Sequence, residues 1–295
     1  MNLKECFALA FSVRPAWIDG DSRPTNIINS NHVMRILGQD LDITTVKPST
    51  FAKLQRQLKE EGYAAGTCNR ICACLRTALY EAHLEGELDS VPSYRKLKEP
   101  PARRDYYSMQ EIQTLLAFAP DIEDGLLLQR TILFFYLTGC RKSELLNLEW
   151  LGRDEVGNLH ECIKFEDNKI LFLDTKNGNH HMIDIHPELL PILQQMFEER
   201  IDESKVFAWG SRDILNRRMK KLCKKAGIDI AEEGQSKRYI HAIRHTTATH
   251  LVEAGVPIRN IQGLLNHKQI STTTMYAKVN DKAKADAISN LQSPI

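Results

Sequence analysis

Along the first hundred residues, apolar positions recur at helical spacing. The stretches Leu3–Phe11 and Thr25–Leu37 give two short helices. "VKPSTFAKLQRQLKEEG" places Phe51, Leu54 and Leu58 on one face and stops at Gly62, and "TCNRICACLRTALYEAHLEG" does the same with Ile71, Leu75, Ala78, Leu79 and Ala82 and stops at Gly86. The pattern then breaks. "SVPSYRKLKEPPARRD" combines prolines with Arg95, Lys96, Lys98, Arg103 and Arg104, which predicts an extended linker lying on something acidic. Periodicity resumes at "SMQEIQTLLAFA", where Ser108 and Glu111 have the spacing of a capping box. "DGLLLQRTILFFYLTG" predicts a mostly buried helix closed by Gly139, and "RKSELLNLEW" a short helix after it. "LHECIKF", "KILFLDT" and "HHMIDI" predict short strands with turns at Asp167–Asn168 and Asn177–Gly178. Helices start again near Pro187, Ser211, Arg238, Pro257 and Ser271. The chain is therefore mainly α with a small antiparallel β-sheet in the second of two domains. The expected division is a helical domain over 1–100, a linker over 101–106 and a second domain over 107–295.

Composition adds three points. Hydrophobic residues make up 42% of the 295 positions, enough for a real core. No apolar run is long enough to span a bilayer. The opening MNLKECFALAFSVRP lacks a basic n-region and a small-residue cleavage site, so it predicts an amphipathic helix rather than a signal peptide, and a cytoplasmic protein is expected. Seven cysteines, an odd number, fit free thiols in that compartment. Cys68, Cys72 and Cys74 cluster without zinc spacing and are expected to pack as small apolar groups. Net charge is only +1, yet Ser211–Lys225 concentrates Arg212, Arg217, Arg218, Lys220, Lys221, Lys224 and Lys225 against the single acid Asp213. A polyanion partner needs local charge, not global charge. Taken alone, the same stretch fits a solvated helix face equally well.

The candidate chemistry lies near the end of the chain. His241 and Arg244 share a helix face, with His245 one step further round. His267 follows a helix built on Val256, Ile258, Ile261, Leu264 and Leu265, and Tyr276 follows the polar run Ser271–Thr274. Arg141 comes just after a glycine-closed buried helix, an odd place for a guanidinium without an anion to meet. Two arginine forks suit phosphate oxygens, and histidines supply donors near neutral pH. A phenol with its usual pKa of roughly 10 needs help to lose its proton. No carboxylate cluster accompanies these residues, which disfavours a two-metal mechanism. The set points to phenolate attack on a phosphodiester and a covalent phosphotyrosine. His241 and His245 also have zinc-pair spacing but lack the glutamate of H-E-x-x-H. There is no P-loop and no glycine-rich dinucleotide turn.

Together, "TGCRKSEL", "HAIRHTTATHL" and "LLNHKQISTTTMY" resemble the tyrosine recombinase (phage integrase) family, in order and in spacing. A match in so many parts is far more specific than any one of them. It covers the catalytic domain from about Tyr106 to Val279, with a weaker helical likeness to the family's core-binding domain before it. The resemblance implies a two-domain clamp on double-stranded DNA. Arg141 and Arg244 would hold the scissile phosphate, and His241 would bond the phosphate or help take the tyrosine proton. His267 would be a further donor, and Tyr276 the nucleophile of a 3′-phosphotyrosyl link. Lys164, Lys169 and Lys176 are candidates for the family's lysine. Lys176, at the turn between two strands, is the choice, as general acid toward the 5′-oxygen. Glu144 and His245 would support the site from behind. Arg217, Arg218, Lys220 and Lys221 would meet the DNA backbone. No cofactor is implied. The working assembly would be a tetramer on DNA, with accessory DNA-bending or directionality proteins as candidate partners. Asn266 stands where many members have glycine. Residues 1–100 are just long enough for the core-binding domain, so the extra arm-binding domain of some phage integrases is expected to be absent. The activity expected is site-specific recombination for integration or excision of a phage or mobile element. The alternatives are a Xer-like dimer resolvase and a catalytically silent DNA-binding regulator.

Overall fold

The first helix is set by its own ends. Asn2 Oδ1 accepts from the Glu5 amide and Glu5 Oε2 accepts from the Asn2 amide, both at 2.9 Å, so two orphan donors of α1 (Leu3–Val13) are satisfied reciprocally. In this computed structural model the structure describes residues 1–20, 22–100, 106–173, 180–200, 204–228 and 240–276. Its contacts divide the chain into two units, Met1–Ala102 and Arg103–Ile295.

In the first unit α1 is followed by α2 (Pro15–Ile18), α3 (Arg23–Leu37), α4 (Pro48–Glu60) and α5 (Ala65–Leu84). The short α2 has no periodicity to announce it; Pro15 simply fits the first turn of a helix. The central element is α5, which packs against α1, α3 and α4. Ile71, Leu75 and Leu79 from α5 meet Phe51, Leu54 and Leu58 from α4, all fully buried. Each such side chain contributes about 1.5–3 kcal/mol relative to exposure. Cys68, Cys72 and Cys74 lie in the same core as free thiols, and burial pushes Cys72 and Cys74 up to about 12. The basic, proline-containing segment after α5 is irregular but packed. Tyr94 stacks on Phe51 at 4.7 Å, Gln55 Nε2 donates to the Arg95 carbonyl, and Asn69 Oδ1 accepts from the Leu97 amide. Arg95, Lys96 and Lys98 face solvent from this strap. Residues 101–105, with Arg103 and Arg104, lie outside the described residues.

The second unit opens with Tyr107, fully buried, whose amide donates to Thr246 Oγ1 at 2.9 Å. The capping box of Ser108 and Glu111 then starts α6 (Met109–Phe118). Next come α7 (Gly125–Thr138), α8 (Lys142–Asn147), the β region, α9 (Leu190–Glu198), α10 (Arg212–Lys225), α11 (Ile240–Glu253), α12 (Ile258–Leu264) and α13 (Ile270–Thr274). The core of this unit runs along α7, where Leu128, Ile132, Phe134 and Phe135 are fully buried, and Phe134 meets Phe172 and Phe207 edge-on. The β region holds two antiparallel sheets where one was expected. β1 (Leu151–Arg153) pairs with β2 (Leu159–Glu161), and β4 (Lys169–Phe172) lies between β3 (Ile163–Lys164) and β5 (His181–Asp184). The expected single strand "LHECIKF" is split at Cys162, which serves both sheets: its amide donates to the Trp150 carbonyl and its carbonyl accepts from the Leu171 amide. Asn168 takes the turn after β3 with φ 53°. The Asn177–Gly178 turn lies outside the described residues.

Candidate active site

Gly139 ends α7 in the left-handed region at φ 60°. A Cβ there would come within 2.6 Å of Leu265 Cδ2, so both the turn and the close approach of α12 require glycine. The turn aims the Gly139 carbonyl at Arg244 of α11 and leaves Arg141 at the start of α8. Arg244 is only 3% exposed. Its Nη1 donates to Gly139 O and its Nη2 to Leu265 O, both at 2.6 Å. Arg141 donates from Nη1 to Glu144 Oε1 and from Nη2 to Asn266 O, again at 2.6 Å, while the Arg141 amide donates to Glu144 Oε2. The nearly buried Glu144 therefore fixes Arg141 from both ends. Each guanidinium carries five N–H donors and, among the described residues, uses two in these bonds.

These contacts share one physical origin. The last carbonyls of a helix have no partner within it and carry its negative end. After α12 the carbonyls of Leu264, Leu265 and Asn266 accept from His181, Arg244 and Arg141 in turn. Asn266 has φ 48°, a conformation asparagine tolerates, which answers for its presence where glycine is common in the resembling family. The end of α12 thus orients both arginines and one histidine of β5.

Burial first, then the Arg141 charge, holds the Arg244 pKa below its ordinary value, although a guanidinium still keeps its proton. His241 lies one turn before Arg244. Its ring reaches solvent, but lost hydration and the charges of Arg244, Lys142 and Arg141 hold it below the ordinary histidine range. Lys142 gave no signal in the sequence beyond its place beside Arg141. It is half-buried, donates to Asn216 Oδ1 at 3.2 Å, and is lowered by desolvation and then by Arg212. Arg141, Lys142, His241 and Arg244 thus gather four cationic or potentially cationic groups, with Glu144 acting on Arg244 and Asp213 on Lys142 as opposite charges.

Tyr276 is 9% exposed and packs on Ala248, Ile261 and Leu265. Its hydroxyl lies 2.6 Å from His245 Nδ1. The family resemblance gives His241 a bond to the phosphate or a share in taking the tyrosine's proton, and His245 a supporting role. His245 is hydrogen-bonded to the hydroxyl, and its ring also meets His241 edge-on at 5.1 Å. His267 Nδ1 lies 2.9 Å from Thr273 Oγ1, tying the end of α12 to α13 just before Tyr276. Lys176 lies outside the described residues, between β4 and β5. Of its rivals, Lys169 is ion-paired to Asp184, and Lys164 stands opposite Lys169 in the β3–β4 ladder.

The basic residues of α10 divide by face. Arg217, Lys220 and Lys221 are exposed, whereas Arg218 bonds Asp124 at 2.8 Å and Glu123 at 2.5 Å, and Lys225 pairs with Asp121. These acids lie about a hundred residues upstream, beyond the reach of a local charge count. Among the described residues no helix is long and apolar enough to cross a membrane.

Residues 106–283 match the model of the phage integrase family. The chain belongs to that family, the tyrosine recombinases. A tyrosine recombinase XerA of Pyrococcus horikoshii is 28% identical over 245 residues, covering 80% of this chain and 77% of the relative. A tyrosine recombinase XerC of Natranaerobius thermophilus is 28% identical over 244 residues, covering 80% and 79%. Among solved structures, the Tn1549 transposon integrase in complex with circular intermediate DNA is similar with a TM-score of 0.79 at 19% identity, covering 99% of this chain and all of that one. The lambda integrase tetramer bound to a Holliday junction is similar with a TM-score of 0.73 at 19% identity, covering 93% and 76%. These structural likenesses show a shared tyrosine recombinase fold.

Proposed function

We propose that this tyrosine recombinase cuts and rejoins DNA at specific sites with Tyr276 as nucleophile. The observation that carries the reading is the Tyr276 hydroxyl held at 2.6 Å from His245 Nδ1, on the helix that also presents Arg244. Arg141 and Arg244 take the non-bridging oxygens of the scissile phosphate through the N–H groups not bonded to carbonyls. As the Tyr276 oxygen bonds to phosphorus, its proton passes to His245. The bond from phosphorus to the 5′-oxygen breaks, and Lys176 supplies the proton that makes the 5′-hydroxyl. His241 and His267 complete the donors around the phosphate. The exchange replaces one phosphoester by another, so rejoining needs no energy source.

Binding is to double-stranded DNA, through phosphate contacts from the exposed face of α10 and from Arg95, Lys96 and Lys98, in a clamp made of a core-binding domain and a catalytic domain. Recombination joins two duplexes, which calls for a tetramer on DNA. For the biological setting, the first reading is integration or excision of a mobile element, on the strength of the phage integrase match. The XerA and XerC names of the sequence relatives favour dimer resolution as the second. Plasmid substrates bearing the flanks of the gene, beside substrates bearing a dimer-resolution site, separate the two.

The reaction itself is tested with a nicked target duplex that loses its 5′-hydroxyl fragment once cut. The full chain is expected to accumulate a covalent DNA adduct, and to do so in excess chelator, because cationic side chains take the place that metals hold elsewhere. Strict dependence on magnesium, or no adduct on any target, would overturn the mechanism.

A further inference from the structure

Away from Tyr276, a second constellation belongs to no step of the reaction. Asp154 follows β1, His160 lies in β2, and His180 immediately precedes β5. One ligating atom from each lies within 4.8 Å of the other two. His160 Nε2 is 2.9 Å from Asp154 Oδ2, and the two imidazole rings are 5.8 Å apart between centroids. Asp154 is fixed in place: its Oδ1 accepts from the amides of Val156 and Asn158, and its Oδ2 from the Asn158 side chain. We propose that Asp154, His160 and His180 form a divalent transition-metal site, of the zinc class, that cross-links the β1–β2 hairpin to the start of β5.

The donor set fits that class. Two imidazoles and one carboxylate suit zinc, whereas magnesium and calcium prefer oxygen alone. Zinc at about 2.0–2.2 Å from each donor needs ligand atoms roughly 3.3–3.5 Å apart. The Asp154–His160 pair is already slightly closer than that. Only the exposed His180 ring has to close the rest of the gap, and it is the member with most room to turn. On binding, the ion takes the place of the proton between Nε2 and Oδ2, and the His160 proton shifts to Nδ1 through solvent. The fourth position opens to water. Competing soft ligands are few, since all seven cysteines are buried.

The placement gives the ion a structural task. Its two anchors belong to different sheets, and His180 directly precedes His181, which bonds the Leu264 carbonyl at the end of α12. His180 is also four residues along the chain from Lys176. The site itself does not depend on the roles proposed for Tyr276 or Lys176.

Zinc chloride is titrated into the full chain against a chromophoric chelator, with cobalt(II) as a spectroscopic substitute. The expected result is one tight equivalent per chain at micromolar zinc or below, visible cobalt bands of a four-coordinate site, and a melting temperature raised by several degrees at zinc about 100-fold above Kd. His180→Ala and His160→Ala should each weaken binding at least about tenfold. His180→Ala is the decisive variant, because His180 takes no part in the Asp154 turn, and its circular dichroism should match the wild type. Binding weaker than about 100 μM, or binding left unchanged by both substitutions, overturns the site. So does loss of the tight equivalent in His241→Ala instead.

Discussion

The two units bury charge differently. Around α5 the interior is mainly apolar, with Ile71, Leu75, Leu79 and the cysteines inside; among its buried polar groups Asn69 pairs with the Leu97 backbone and Glu81 with Arg14, and Arg95, Lys96 and Lys98 of the strap stay in water. Around α11 a guanidinium is sunk to 3% exposure between two backbone carbonyls, next to a second arginine. A buried charge is weak evidence of stabilisation, because desolvation offsets what its partners return. Arg244 stays charged because Gly139 and Leu265 supply oriented dipoles. The first core can be understood as a folding device alone. The second holds like charges together at a cost that folding does not require, and the phosphate proposed for the site would relieve it.

The sharpest break between these regions is Tyr276→Phe. The change removes one oxygen and keeps the ring that packs on Ala248, Ile261 and Leu265. Folding and DNA binding should be kept while the covalent adduct disappears. Peptide mapping of trapped adducts checks it: label on Tyr106 or Tyr239, or cleavage retained by the phenylalanine variant, would sink the assignment. Tyr107, fully buried, has no path to DNA.

Next in size is Arg244→Lys. Lysine keeps the charge but cannot span Gly139 O and Leu265 O as a fork does. Losing one transition-state donor costs on the order of a hundredfold in rate. Leaving a buried carbonyl without its partner costs about 1–3 kcal/mol, a fall of several degrees in melting temperature for a unit of this size. Single-turnover cleavage and calorimetry read the two losses separately. A slowed reaction at unchanged stability would mean that the carbonyl bonds do not hold Arg244 in place.

How much of this was legible in the sequence follows the same division. The longer helices of the first unit announce themselves because a one-sided apolar core imposes period 3.6; α2, four residues long, and the single 3-10 turn Ile43–Thr45 escape. β1 is missed because three residues cannot display alternation, and the β2–β3 break because Cys162 changes partners through backbone atoms that residue types do not reveal. At the candidate site, the side chains could be picked out by chemistry and by family resemblance. Of their supports only Glu144 could be picked out with them; the backbone ones could not. Three of them are carbonyls at the end of α12, and one is a carbonyl that points usefully only because Gly139 has positive φ. Helix spacing gives the face on which His241 and His245 lie, not that the His245 ring reaches a tyrosine thirty-one positions away.

The basic helix allows a finer test within one element. Arg217, Lys220 and Lys221 face solvent, whereas Arg218 is held by Glu123 and Asp124. Each phosphate contact contributes about 0.9 to the slope of log affinity against log salt. Replacing Arg217, Lys220 and Lys221 by alanine should therefore flatten the slope by up to roughly two to three, and Arg218→Ala should leave it nearly unchanged. Filter binding across a salt series checks both. Equal effects from Arg217→Ala and Arg218→Ala would show that DNA draws Arg218 away from its acids. No effect from the triple variant would return the helix to a solvated face.

The smallest expected effect concerns pH and His241. Desolvation, then the positive charges of Arg244, Lys142 and Arg141, lower its pKa in the folded protein. The unfolded chain therefore binds the proton more readily, and stability rises with pH wherever the two states differ in protonation. The contribution is intact above the ordinary histidine pKa of about 6.5 and is lost as pH falls through the lower folded value. His241→Gln removes the titration, so its melting temperature should fall less than the wild type's between pH 7 and pH 5. The difference should be small, because the ring reaches water. Bound DNA should reverse the sign: a phosphate between the arginines favours the protonated ring, so the His241-dependent part of DNA binding should strengthen as pH falls through that window. Binding isotherms of the two proteins at pH 7.5 and pH 5.5 measure it. A wild-type advantage that shrinks on acidification would mean that His241 does not face the phosphate.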